Sequence, residues 1–545
     1  MSENLPLLDR NQARSVVMCK EGLISSESPL ASQAGASILA KGGSAVDAAI
    51  AANAVMGVVA PMSCGIGGDL FAIVYDASTD TLSGLNASGY APNNLTVELL
   101  NEKGYKKMPD TGALTITVPG TVDGWSKLLE TFGTFELKEL LNPAIYYAEK
   151  GFPVTEQVSC LWHEAQNIFK SNNQLSNTYL LNGKIPNPGE VFRNNALAKA
   201  YRLIAENSKN AFYNGSIGEN IIKTIKSHSG VLDFDDLSEY KSTYVELIHT
   251  DYRNYVIYEM PPNTQGIAAL SMLNIMENFP LDHFGHNSAE SLHIMIEAKI
   301  LAYADLMQYV GDPDFNSIPV KDLLSKEYAK NRAKEIDNNK AKNNVKPGLI
   351  NNLNGDTVYL CSVDKKGNMV SLIQSNFTSS TFGSGIVVED YGFVLHNRGA
   401  LFNLIKGHPN CLMPRKKPLH TIIPAFMVKD NLKVAFGIMG GFNQAQAHAQ
   451  FVANIVDFKQ NIQLALESPR FTNLNFEGND VMLENRIEKD IINKLQEKGH
   501  NIELRGNYSQ FMGGGQAVMR DFKNSVNFGA SDPRKDGIAV PEFLW

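Results

Sequence analysis

Between Pro29 and Val59 small apolar residues recur at helical spacing, with one interruption at Lys41-Gly42-Gly43-Ser44. Two helices are predicted there, the second opened by Ser44, with Asp47 in the capping-box position three residues on. Leu137 to Trp162 reads as helical throughout, and Asn287 to Val310 as one long helix with apolar residues three and four apart. Elsewhere the apolar runs are short and read as strands: LFAIVYD with a turn at Thr79-Asp80, GIVVED, TIIPAFMVKD and KVAFGIM. TVYLCSV and MVSLIQS flank the turn Asp364-Lys365-Lys366-Gly367-Asn368, which makes them a hairpin. Pro119 to Trp125 reads as a turn before a helix at Ser126–Thr131, and Gln444 to Asp457 as a helix. Asp337 to Pro347 is polar and reads as an exposed connector, with Ala341–Asn354 as the last mobile segment before the hairpin. Helices alternating with hairpins predict an α+β fold in which helices layer onto antiparallel sheet.

Composition narrows the class. The 545 residues are 43% hydrophobic and 19% charged, enough for two to four ordinary domains or one large body. A net charge of -8 gives no footprint for nucleic acid or an anionic membrane as partner. The run Arg415-Lys416-Lys417 is short and reads as a solvated loop. The five cysteines are scattered without a CxxC, which points to free thiols in a reducing compartment. The first twenty residues carry acids early and lack an apolar core, and no run approaches the roughly 20 apolar residues of a membrane span. A cytoplasmic location is expected.

Candidate chemistry is sparse. The loop Cys64-Gly65-Ile66-Gly67-Gly68-Asp69 lacks the Lys-Ser/Thr of a nucleotide loop and leads into a strand, so close backbone approach is its expected role. His420 has no partner at metal spacing, so no metal and no cofactor are expected. No GxSxG elbow occurs. Gly440-Gly441, between a strand and a helix, serves either as a tight turn or as a pair of N–H donors for an oxyanion. Thr357 opens its strand after Gly355-Asp356. One cleavage between Asp356 and Thr357 exposes a Thr whose hydroxyl is a nucleophile and whose α-amine is its base. Ser375, at the far end of the partner strand, is placed to hydrogen-bond it.

From Pro29 to the C-terminus the chain resembles the γ-glutamyltranspeptidase family, on KGGSAVDAAIAANAVMGVVAPMSCGIGGD, ITVPGTVDGW, AIYYAEKGFPV, PPNTQG, YADLMQYVGDPDF, GDTVYLCSVDKKGN, FGSGIV, GIMGG and SDPRKDG. The resemblance implies an αββα sandwich of the N-terminal-nucleophile hydrolase type, with additional helices on the large fragment. It implies autocatalytic cleavage into a large fragment, 1–356, and a small one, 357–545, held as a heterodimer, with further dimerisation left open. Thr357 matches the family nucleophile, Ser375 the hydroxyl that hydrogen-bonds it, and Gly440 and Gly441 the oxyanion pair.

The departures concern the substrate. Family members that bind a γ-glutamyl group place an Arg at the position of Ser88 for the α-carboxylate and an Asp at that of Leu401 for the α-ammonium. Neither is present, and a buried ammonium without a partner is costly. Substrate-contacting hydroxyls fall at the positions of His420 and Thr421, of which only the Thr remains. NRGALF, HPN and PLHTIIPAF resemble the branch that includes oxamate amidohydrolase and uncharacterised glutathione-hydrolase-like proteins. There Arg398, beside Asn397, is the candidate cation for a small acid amide, with Asn397, His420 and Thr421 around it. Three activities follow as expectations: γ-glutamyl hydrolysis or transfer, as in glutathione metabolism; hydrolysis of a small acid amide such as oxamate; and an unprocessed, non-catalytic binding protein. The stretch His408–Pro418 is a candidate lid.

Overall fold

The computed structural model of the unbroken chain describes residues 11–342, 355–473 and 478–543. Two seven-stranded antiparallel sheets form its centre. One runs Val17–Cys19, Val526–Ser531, Gly515–Asp521, Leu432–Ile438, Ala425–Lys429, Tyr255–Glu259, Ile248–Tyr252. The other runs Ile538–Pro541, Leu23–Ser26, Asp356–Val363, Met369–Phe377, Asp69–Asp76, Thr81–Ala87, Thr243–Val245.

Side-chain alternation assigns each strand face to a layer. From the second sheet Tyr359, Cys361, Val363, Phe71, Ile73 and Ile373 point into one core with Phe426, Ala435 and Val518 of the first. Their neighbours Val358, Leu360, Val370, Leu372, Ala72 and Val74 face the other way, onto the helices Pro29–Ala40 and Ala45–Val59 and the elements around them. On the far side of the first sheet, Met427, Val434, Phe436 and Ile438 pack against Gly266–Met276, Ala289–Tyr309 and Asn443–Val456. The order is helix, sheet, sheet, helix. The strands carry continuous apolar runs because both faces of each sheet are covered.

Local chemistry sets the element ends. Ser44 Oγ accepts from Asp47 N–H and the Asp47 carboxylate accepts from Ser44 N–H, as the spacing predicts; such a cap contributes about 1 kcal/mol. Asp364 accepts from the N–H groups of Lys366 and Asn368, and Gly367 takes φ +92°, closing the expected hairpin. Three expectations are corrected. The stretch from Leu137 is not one helix: it ends at Lys150, Gly151 turns the chain at φ +88°, and a new helix starts at Glu156. The turn expected up to Trp125 is already helical from Thr121. GIVVED contributes only Val387–Val388 to a strand before the chain turns.

Of the expected connector, Asp337 and Lys340 form a small bridge and Ala341 is buried; residues 343–354 lie outside the described ones. The basic run is not simply solvated: Lys416 is buried with Nζ on Pro409 O, and Arg415 stacks over Tyr90 and pairs with Glu239. His408–Pro418 is strapped down by Asn316 to Pro409 O, Lys417 N–H to Asp312, and paired backbone bonds between Ala91 and residues 415 and 416. Among the described residues no helix is long and apolar enough to cross a membrane.

Candidate active site

Thr357 lies at the start of an interior strand of the second sheet, third in its order, 1% exposed. Its partner strand carries an irregularity there: Asp356 pairs with Phe377 but Val358 with Gln374, so Ser375 and Asn376 together oppose Thr357. Phe377 closes the irregularity at φ +77°, in the left-handed region that a non-glycine residue enters at a cost. The result turns three polar groups onto one point. Thr357 Oγ1 donates to Ser375 Oγ at 3.3 Å, Phe377 N–H donates to Ser375 Oγ at 2.8 Å, and Ser375 Oγ donates to the carbonyl oxygen of Asp356 at 2.8 Å. That carbonyl belongs to the peptide bond joining Asp356 to Thr357.

Asp356 is fixed on its other side. Its carboxylate accepts from Ser63 Oγ at 2.7 Å and faces Lys535 Nζ at 3.6 Å. Glu27, also beside this pair, accepts from Tyr359 N–H. Burial pushes its carboxyl up to about 8, against the pull of Lys535.

Gly440 and Gly441 follow the strand Leu432–Ile438 at φ +125° and +59°, conformations that glycine adopts without a Cβ penalty. A Cβ on Gly441 would stand 3.0–3.3 Å from the N, Cα and O of Gly355. The pair therefore abuts the segment that leads into Thr357. Among the described residues neither glycine N–H has an acceptor. Gln265 holds the pair in place, donating to the carbonyl oxygens of Gly441 and Thr421. Asn443, which opens the next helix, is fully buried with both amide atoms unpaired among the described residues, and its nitrogen would touch a Cβ on Gly440. Nothing in the local sequence marks this Asn, since its environment is created by Gly440 and the distant Gly513.

Asp69, the last residue of the glycine loop, organises the next layer. It pairs with Ser375 across the sheet. Its carboxylate accepts from Arg398 Nε at 2.9 Å, Arg398 Nη2 at 3.2 Å and His420 Nε2 at 2.8 Å, and lies 3.1 Å from His396 Nδ1. Burial pushes the Asp69 carboxyl up, but Arg398 and the two histidines outweigh it and hold it well below its usual range. Burial and the Arg398 charge lower His420 to about 4, so its ring is neutral. The tight approaches expected of the loop are present: a Cβ on Gly67 would stand 2.0 Å from Val394 O, and one on Gly68 2.5 Å from Ser375 O.

Arg398 is thus not the free cation that the sequence suggests. It is fully buried, its charge is met by Asp69, it stacks 4.5 Å from the Phe377 ring centroid, and Nη1 donates to Thr421 Oγ1 at 2.8 Å. Asn397 is occupied by Thr378 and Asp110 O. The two departed clamp positions are closed. Leu401 is fully buried in the apolar core, and Ser88 is buried against Asn86 and Asn263.

Comparison with known proteins identifies the family. The family model for gamma-glutamyltranspeptidase matches residues 31–542. The chain is 36% identical to the glutathione hydrolase-like YwrD proenzyme of Bacillus subtilis, over 97% of this chain and 99% of that one. It is 32% identical to the oxamate amidohydrolase proenzyme of Klebsiella pneumoniae, over 94% and 96%. The cephalosporin acylase structure from Bacillus halodurans superposes with a TM-score of 0.91 at 40% identity, covering 99% of both chains. The chain belongs to the gamma-glutamyltranspeptidase family and is an amide-processing enzyme of the N-terminal-nucleophile kind.

Proposed function

We propose that this chain is a proenzyme that cuts itself between Asp356 and Thr357 and then hydrolyses an amide whose acyl group carries no α-ammonium. The observation that carries the reading is the relay Thr357–Ser375–Asp356 O. In processing, Thr357 Oγ attacks the Asp356 carbonyl carbon while Ser375 O–H stabilises the charge growing on its oxygen. The C–N bond breaks as the acyl group passes to Oγ and the Oγ proton ends on the departing Thr357 nitrogen; water then splits the ester, leaving the Asp356 carboxylate and restoring the Thr357 hydroxyl. Fragments 1–356 and 357–545 remain together, because the small fragment's first strand stays paired through Leu360–Val363 with Leu23–Ser26 of the large fragment.

Cleavage frees the Thr357 amine, with an ordinary pKa of roughly 7.7–8.0. It takes the Oγ proton as Thr357 attacks the substrate carbonyl. Gly440 and Gly441 supply unused N–H groups at the oxyanion, and removing such a donor typically costs on the order of 10²–10³ in rate. Asn443 adds an amide beside them. Arg398, Asn397 and His420 act behind the site as positioning residues. Thr421, which accepts from Arg398, keeps its own O–H for the substrate.

Leu401 in the apolar core offers nothing to an ammonium, which favours acid amides of the oxamate kind over γ-glutamyl compounds. The relatives are proenzymes, which disfavours a non-catalytic binding protein. Purified processed protein offered oxamate and a γ-glutamyl anilide side by side tests this. Oxamate turnover with an inert anilide is expected; preferential anilide turnover would contradict the substrate assignment while leaving Thr357 in place.

A further inference from the structure

Outside the set of residues around Thr357, the helix Ala289–Tyr309 presents His293 and Glu297 one turn apart, on the same face. His500, in the turn after the helix Lys489–Glu497, meets them. One ligand atom from each of the three lies within 4.8 Å of the other two. All three are buried, Glu297 completely.

The hydrogen bonds define the tautomers. His293 Nε2 lies 2.8 Å from the backbone oxygen of Asp337, which only accepts, so the His293 proton sits on Nε2. Its Nδ1 therefore carries a lone pair aimed at His500 Nε2, 2.8 Å away. A backbone partner that locks a ring with one nitrogen turned inward is the arrangement that orients metal-binding histidines. His500 Nδ1 is buried with no partner among the described residues. Glu297 is met, among the described residues, only by the N–H of Lys342, at 3.2 and 3.3 Å to its two oxygens. The nearby Lys342 charge pulls on this buried carboxyl, but its ammonium is paired with Glu335 rather than with Glu297.

We propose that His293, Glu297 and His500 bind a divalent transition-metal ion, with Zn²⁺ the ion that two imidazoles and a carboxylate suit best. The cation takes the place of the proton between the rings, which moves to His500 Nδ1. Two nitrogens on a tetrahedral zinc at about 2.0–2.1 Å stand roughly 3.3–3.4 Å apart, so the rings need part by only about half an ångström. The Glu297 carboxylate then gains a direct positive partner, where the Lys342 ammonium is taken by Glu335. The ion would tie the long helix to residues 337–342 on one side and to the C-terminal third on the other. The site does not depend on the activity proposed above.

The test uses full-length, chelator-treated protein titrated with Zn²⁺ by calorimetry, alongside His500→Gln and Glu297→Gln. One zinc per wild-type chain is expected, with binding at least tenfold weaker in both variants and a zinc-dependent rise in Tm confined to the wild type. Wild-type protein that binds no zinc, or a folded His500→Gln that binds it equally well, overturns the proposal. If the variants do not fold, Co²⁺ added to wild type decides. Ligand-field bands of a four-coordinate nitrogen and oxygen site support it. A thiolate charge-transfer band, or the spectrum of free hydrated Co²⁺, overturns it.

Discussion

The hydroxyl of Ser375 donates at 2.8 Å to the carbonyl oxygen of Asp356, the acyl half of the bond that precedes Thr357. Ser375 thus acts on the electrophile while the Thr357 hydroxyl donates to it. Ser375→Ala removes both contacts. Appearance of the two fragments on a denaturing gel should slow by about 10²–10³, and Ser375→Thr, which keeps the hydroxyl, should process at close to the normal rate. Equal rates for Ser375→Ala and wild type would remove Ser375 from the processing step.

Gly441 is a second point where one atom decides. Its φ of +59° strains any side chain, and a Cβ 3.0 Å from Gly355 N forces that backbone to give by a few tenths of an ångström. Gly441→Ala carries a backbone penalty of about 1–2 kcal/mol and pushes on the segment leading into Thr357. Processing and turnover should both fall at least tenfold, measured as fragment yield and kcat, with the fold retained by circular dichroism.

Much of this was legible in the chain. Ser44 and Asp47 announce their helix because a cap is local chemistry, and the hairpin after Thr357 is announced by Asp364, Gly367 and its two apolar runs. Gly440-Gly441 is visible because few other residues take those dihedrals. What was not legible depends on chain segments far apart. Asp69 reads as the end of a glycine loop, yet it meets Arg398 and His420 more than 300 residues away, which turns Arg398 from a candidate substrate cation into a paired one. Asn443 and His500 likewise acquire their surroundings only from the fold. The break at Gly151 was missed because the apolar spacing resumes in a second helix on the far side of the turn.

Asp69 and Arg398 form a buried ion pair, so removing one partner strands the other. Asp69→Asn should cost about 3–5 kcal/mol, read as a lower denaturation midpoint. The double variant Asp69→Asn/Arg398→Met should recover part of that loss. Additive losses in the double-mutant cycle would mean that the two side chains do not depend on each other.

Glu27 supplies a pH dependence. Burial raises its folded pKa from 4.5 to about 8, so between these values the folded state holds a proton that the unfolded state has released. Its contribution is fully present below about 4.5 and is lost as pH rises through about 8. Tm should fall across this window more steeply in wild type than in Glu27→Gln. Parallel Tm profiles would show that Glu27 ionises without a penalty in the folded chain.

Release of Thr357 as an N-terminal nucleophile is decided by intact-mass analysis of purified wild type beside Thr357→Ala. Two wild-type fragments, the smaller beginning at Thr357, and a single inactive chain for the variant are expected. A wild-type chain that stays whole yet turns over substrate, or a Thr357→Ala chain that still splits at this bond, would contradict it.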